Sequence, residues 1–120
     1  MILADTSIWV DHFRSGDDRL RTLLSEAQVL VHPFIIVELA LGALSDRSIL
    51  ADLDNLPPAL VATDAEVRHL IENAGLHGSG VGWVDAHLLA SVRLTPGATL
   101  WTRDGRLASA ADRLGLGARA

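Results

Sequence analysis

Residues 2–14 read Ile-Leu-Ala-Asp-Thr-Ser-Ile-Trp-Val-Asp-His-Phe-Arg (ILADTSIWVDHFR). Three apolar residues run straight into Asp5, and Thr6 and Ser7 then lead an amphipathic stretch. The pattern predicts a strand over Met1–Asp5 and a helix, capped by Thr6 or Ser7, that runs to about Ser15. A neutral turn residue would have ended the strand as well as a carboxylate does. Whether Asp5 matters depends on other isolated acids in equivalent places.

The rest of the chain repeats this alternation. DDRLRTLLSEA (17–27) reads as a helix with Leu20, Leu23 and Leu24 on one face, and QVLVH (28–32) as a short strand. Pro33 suits a first helical turn, and PFIIVELALGAL (33–44) carries that helix to Gly42 or beyond. DRSILADLDNL (46–56) is a helix stopped by Pro57-Pro58, and ALVAT (59–63) is expected to form a short strand. DAEVRHLIENAGL (64–76) places Val67, Leu70, Ile71 and Ala74 on one stripe and ends at Gly75. HGSGVG (77–82) is a loop, WVDAHLLASVRL (83–94) a helix, ATLWT (98–102) a strand and DGRLASAADRL (104–114) a last helix. Strands alternating with helices predict an α/β domain with a mainly parallel sheet. Without repeats or low-complexity segments, residues 1–120 read as a single domain.

Composition narrows the functions. Of 120 residues, 49 % are hydrophobic, enough for a sizeable core. No apolar run approaches the roughly 18 residues that span a bilayer, and no basic segment precedes the first apolar run, so neither a membrane span nor a signal peptide is expected. The absence of cysteine excludes disulfides and thiolate metal sites, and it fits a cytoplasmic protein. Fifteen acids face ten basic residues, and every one of the ten is arginine. The absence of lysine excludes P-loop, Schiff-base and Ser–Lys chemistry. A net charge of −5 argues against a tight nonspecific nucleic-acid binder, but not against an enzyme that touches nucleic acid briefly through metal ions and a few arginines.

Eleven of the acids sit at helix starts or on solvated faces. Four do not. Asp5 ends the first strand and Asp104 directly follows ATLWT. Glu38 is the only charge from Phe34 to Leu41, on a helix apolar almost all round and therefore expected to be buried, where a lone carboxylate is costly. Asp85 lies in line with Leu88, Leu89 and Val92, on the core side. Ligands of open parallel sheets bind outside the carboxyl ends of the strands. If the connections are ordinary, all four acids reach that edge. Their repulsion would force protons onto some of them unless a hard cation, Mg²⁺ or Mn²⁺, were present. A metal pair of this kind suits phosphodiester hydrolysis, one ion activating water and the other steadying the leaving oxygen. Thr6, Ser7 and Thr102 are placed to hydrogen-bond the carboxylates from behind.

DTS (5–7), VELALG (37–42), VDAHLLAS (84–91) and TRD (102–104) resemble the four acidic motifs of the PIN domain, and length and order resemble the toxins of VapBC toxin–antitoxin systems. The resemblance covers essentially the whole chain. It implies a PIN-like three-layer α/β/α fold and a Mg²⁺-dependent endoribonuclease that cuts RNA. It also implies frequent homodimerisation and inhibition by a cognate antitoxin that covers the acidic pocket. Asp5, Glu38, Asp85 and Asp104 then take the catalytic and metal-binding roles, and Thr6 and Thr102 match commonly hydroxylated neighbours. Two positions depart from the pattern: His87 stands in a usually apolar stretch, and Leu107 where an aromatic is common.

Each site residue also has a plainer reading. Asp5, Asp85 and Asp104 are at helix starts, where acids cap or favour the dipole, and Glu38 could be buried against an arginine. Arg14, Arg103 and Arg106 are near the acids in sequence and are candidates for substrate phosphate, although a solvated arginine is the default. The five histidines show no metal spacing and read mostly as surface or loop residues, with His87 a candidate substrate contact. Trp9, Trp83 and Trp101 read as core. Among other functions, an aspartic protease needs an all-β chain, which the helical periodicity contradicts. A phospho-acceptor receiver module needs a late lysine. A catalytically silent PIN-fold binding protein would keep the fold and lose the chemistry.

Overall fold

The computed structural model describes residues 1–118. The elements are β1 (Ile2–Ala4), α1 (Thr6–Ser15), α2 (Asp18–Ser25), β2 (Val29–Leu30), α3 (Pro33–Leu41), α4 (Ser48–Asp54), α5 (Asp64–Ala74), α6 (Trp83–Leu94), β3 (Thr99–Trp101) and α7 (Gly105–Arg113). The three strands form one parallel sheet in the order β2-β1-β3. Leu3 is opposite Leu30 on one side and Leu100 on the other. Consecutive strand residues point to opposite faces. Leu3 and Ala4 are both completely buried, so both faces of the sheet are covered, as the expected α/β/α layering requires.

Three expectations need correction. ALVAT is not a strand. Just before it lies an isolated parallel bridge between Val31 and Pro58, in which Val31 N donates to Pro57 O and Ala59 N donates to Val31 O. Pro57 and Pro58 have no N–H to extend the ladder. The cap of α1 is Asp5, not Thr6 or Ser7: its Oδ1 accepts from Ser7 N and Ile8 N. Finally, α3 is not buried all round. Only Ile35 and Leu39, one turn apart, lie in the core, whereas Val37 and Leu41 are 55 % and 83 % exposed and Glu38 is exposed as well.

Helix ends follow local chemistry. Pro33 opens α3, as its fixed φ predicts. Thr63 and Glu66 form a reciprocal capping box at α5, and Gly75 ends that helix at φ +63°, a left-handed conformation that favours glycine. His32, read from sequence as a surface residue, is completely buried. Its Nδ1 accepts from Phe34 N, so Nε2 carries the proton and donates to Ser91 Oγ of α6, 3.0 Å away. Burial, and then repulsion from His87, lower its pKa to about 4, so the ring is neutral and pins the start of α3 to α6.

Leu3→Ala should reduce stability by about 2–5 kcal/mol, seen as a lower urea midpoint with an unchanged slope. A loss below about 1 kcal/mol would show that the core is not centred on β1.

Candidate active site

Parallel pairing of β1 and β3 brings Ala4 opposite Trp101, and Asp5 N donates to Trp101 O. Asp5 and Thr102 therefore leave the sheet side by side. Asp5 is only 6 % exposed. Its Oδ1 accepts from Ser7 Oγ at 2.5 Å and from two backbone N–H groups of α1, and its Oδ2 accepts from Thr102 Oγ1 at 2.5 Å. The Thr102 hydroxyl also accepts from Asp104 N at 3.0 Å, which ties the two strand ends together. Asp104 is exposed and caps α7 through Oδ1, which accepts from Arg106 N and Leu107 N. For both residues the plain capping role and the sheet-edge position coexist.

Glu38, in the second turn of α3, reaches the same edge, where Thr6 Oγ1 donates to its Oε1 at 2.9 Å. Asp85 lies half-buried in the first turn of α6 and accepts no hydrogen bond among the described residues. Its pKa is pushed up to about 6, first by burial and then by the charges of Asp5, Asp104 and Glu38. The carboxylates from four separate segments thus share one electrostatic neighbourhood. The arginine ion pairs of the described residues lie elsewhere, between Arg21 and Asp18 and between Arg103 and both Asp11 and Asp17. Among the described residues no three Asp, Glu or His side chains stand close enough to enclose an ion on their own.

The remaining candidates separate. Arg14 lines an open cavity of about 390 Å³ between α1 and the α3–α4 segment, with Thr6 and Glu38 at its edge. The Arg103 guanidinium is engaged by Asp11 at 2.5 Å and Asp17 at 2.8 Å, two acids that look merely solvated in the sequence. The Asp17 carboxyl is held below its usual range by the N–H of Leu20 and further by Arg103. Arg106 lies at the start of α7 against the glycine loop. His87 is 2 % exposed: it lies against the rings of Trp83 and Phe34, and Nε2 donates to Asp64 Oδ1 at 3.1 Å. Trp83, expected in the core, is 60 % exposed and stacks on Phe34. The i,i+4 spacing of Trp83 and His87 was the available signal for this cluster.

A parallel α/β sheet with helices on both faces defines the fold class, and the profile of the PIN domain matches residues 2–113: the chain belongs to the PIN domain family. Its place within that family is with the VapC-type proteins. The proteins called Ribonuclease VapC32 in Mycobacterium tuberculosis, from strains CDC 1551 / Oshkosh and ATCC 25618 / H37Rv, are each 47 % identical to it over 117 residues, covering 97 % of this chain and 94 % of theirs.

The raised Asp85 carboxyl keeps its proton in the folded chain after the unfolded chain has lost it. Stability therefore falls as pH rises from 3.8 to about 6, and the loss is complete above that range. Asp85→Asn should stabilise the metal-free protein at neutral pH by about 1–2 kcal/mol after allowance for solvent screening. Below pH 3.8 the gain should disappear. Urea unfolding in EDTA at the two pH values tests this; equal stability of the two proteins at neutral pH would mean that the four acids do not crowd one another.

Proposed function

We propose that this chain is a divalent-metal-dependent endoribonuclease, the toxin of a type II toxin–antitoxin pair, which hydrolyses RNA phosphodiester bonds at Asp5, Glu38, Asp85 and Asp104. Kinship with the mycobacterial ribonucleases supports the activity. The observation that carries the site is Asp85: half-buried, without a hydrogen-bond partner among the described residues, and with its carboxyl pushed up first by burial and then by the charges of Asp5, Asp104 and Glu38. Such an arrangement is unfavourable alone and favourable around a cation. The donors are all hard oxygens, which suit Mg²⁺, or Mn²⁺. Mg²⁺ commonly keeps several waters and takes only one or two carboxylates directly.

In this reading Asp5, Glu38, Asp85 and Asp104 would hold the metal. When bound, it would supply the positive charge and Lewis acidity that phosphodiester hydrolysis needs. The chain's own contribution is orientation. Ser7 and Thr102 fix both oxygens of Asp5, Thr102 also holds the backbone of Asp104, and Thr6 turns Glu38 toward the edge. Without a cation the Asp85 carboxyl is pushed up to about 6 by burial and by the other three acids, and a bound cation would favour its carboxylate form.

The partners are an RNA substrate, a cognate protein antitoxin over the acidic pocket and a second copy of the chain. The exposed Val37 and Leu41 of α3 offer apolar surface for such contacts. Residues 1–120 act as a single domain in the cytoplasm, and no helix among the described residues is long and apolar enough to cross a membrane. PIN family membership removes the receiver-module alternative; the silent-binder alternative is decided by assay.

Purified protein should cleave a mixed structured RNA with Mg²⁺ or Mn²⁺, and lose the activity in EDTA and in Asp85→Asn. Asp5→Asn should likewise abolish growth arrest in the expressing cell. Cleavage that survives both EDTA and Asp85→Asn, or arrest by Asp5→Asn, would refute the four-acid site.

A further inference from the structure

Arg106, Ser109, Ala110 and Arg113 recur on α7 at the spacing i, i+3, i+4, i+7, so they share one helix face. That face and the loop that begins at Gly75 border an open cleft of about 540 Å³, lined also by His77 and Ser79. In a chain with fifteen acids, no Asp or Glu lines this cleft. Neither Arg106 nor Arg113 takes part in an ion pair among the described residues. The nearest carboxylates in sequence are engaged: Asp104 Oδ1 accepts from the backbone N–H groups of Arg106 and Leu107, and Asp112 lies against Gly117.

The loop is built around one of these arginines. Gly80 has φ +84°, and a Cβ there would lie 2.8 Å from Arg106 Cδ and 3.2 Å from Nε and Nη1. The positive φ favours glycine, and a Cβ there would push the Arg106 side chain aside. The loop backbone therefore packs on the Arg106 stem and limits where the guanidinium projects, so little freedom remains to be lost on binding an anion. The cleft also adjoins the acids. Gly105 follows Asp104, and the loop leads to Gly82, which caps α6 three residues before Asp85.

We propose that this cleft is a seat for the RNA backbone beside the scissile bond, with Arg106 and Arg113 binding flanking phosphates and His77, Ser79 and Ser109 supplying further polar contacts. This rests on the ribonuclease reading above. Arg106 and Arg113 are two turns apart, about 10 Å along the axis, a separation that follows a strand instead of clamping one phosphate. Backbone contacts position a nucleic acid without reading its sequence.

The test uses the full chain and a labelled mixed-sequence single-stranded RNA. Binding is read by fluorescence anisotropy in an Asp85→Asn background over a salt series, and kcat and KM are measured in the otherwise native enzyme. Arg113→Gln should weaken binding roughly tenfold for every RNA tested and lower the salt slope by about 0.7 per lost contact. KM should rise by the same factor with kcat unchanged. Gly80→Ala, which displaces Arg106 without removing a charge, should weaken binding too, and Arg93→Gln in the last turn of α6 should not. The seat is overturned, with the nuclease reading intact, if the wild type cleaves RNA while Arg113→Gln and Gly80→Ala bind as well as their parent. An equal effect from Arg93→Gln also overturns it, as does displacement of RNA by polyglutamate at equal charge, which would make the cleft a seat for an acidic peptide. If the wild type neither binds nor cleaves RNA, the nuclease reading falls and the seat with it.

Discussion

The Thr102 hydroxyl is the joint on which the acidic edge depends. It donates to Asp5 at the end of β1 and accepts from the N–H of Asp104 beyond β3, so one side chain sets the spacing of two carboxylates 99 residues apart in sequence. The joint exists because β1 and β3 are parallel neighbours in a register that ends with Ala4 opposite Trp101. In an antiparallel pair the two chain ends would leave at opposite edges. The neutral His32 ring fastens α3 to Ser91 of α6, and these are the two helices that carry Glu38 and Asp85.

Crowding carboxylates opposes folding, and the chain offsets it locally. Asp5 and Asp104 each cap a helix, where a side-chain acceptor contributes about 1 kcal/mol and the helix dipole favours negative charge. Glu38 has a hydroxyl donor. Asp85 has no such partner among the described residues and takes the strain as a raised pKa. The obvious internal counter-ion, Arg103, stands between Thr102 and Asp104 in sequence but is held by Asp11 and Asp17. Those two acids keep a guanidinium off the four-acid edge.

Much of this was legible in the residues. The alternation of apolar runs and amphipathic stretches carried every helix and the three strands, because 3.6-residue and short apolar patterns survive without tertiary information. The oddness of Asp5, Glu38, Asp85 and Asp104 was visible for the same reason: each breaks a pattern its neighbours keep. What was not legible depends on partners distant in sequence. ALVAT has the composition of a strand, but Pro57 and Pro58 leave a single bridge. The helix α3 is apolar on both faces, and periodicity cannot say that only the Ile35–Leu39 face meets the core. His32 looked like a surface residue, and His87 like a substrate contact, because their acceptors, Ser91 and Asp64, lie 59 and 23 residues away. The engagement of Arg103 by two acids from another segment has no local signal at all.

The charge balance gives the cleft beside α7 its meaning. An acidic chain and a polyanion repel at long range, and at physiological salt that repulsion fades beyond about 8 Å. Close contact then depends on where unpaired cations stand. With no lysine, arginine is the only permanent cation. Arg21 is matched to Asp18, Arg103 is held by two acids, and Arg19 lies over the ring of Trp101. Arg106 and Arg113 face an acid-free cleft that begins one residue from Asp104. Any polyanion approaching this acidic chain would find there two guanidinium groups that no acid of the described residues already neutralises.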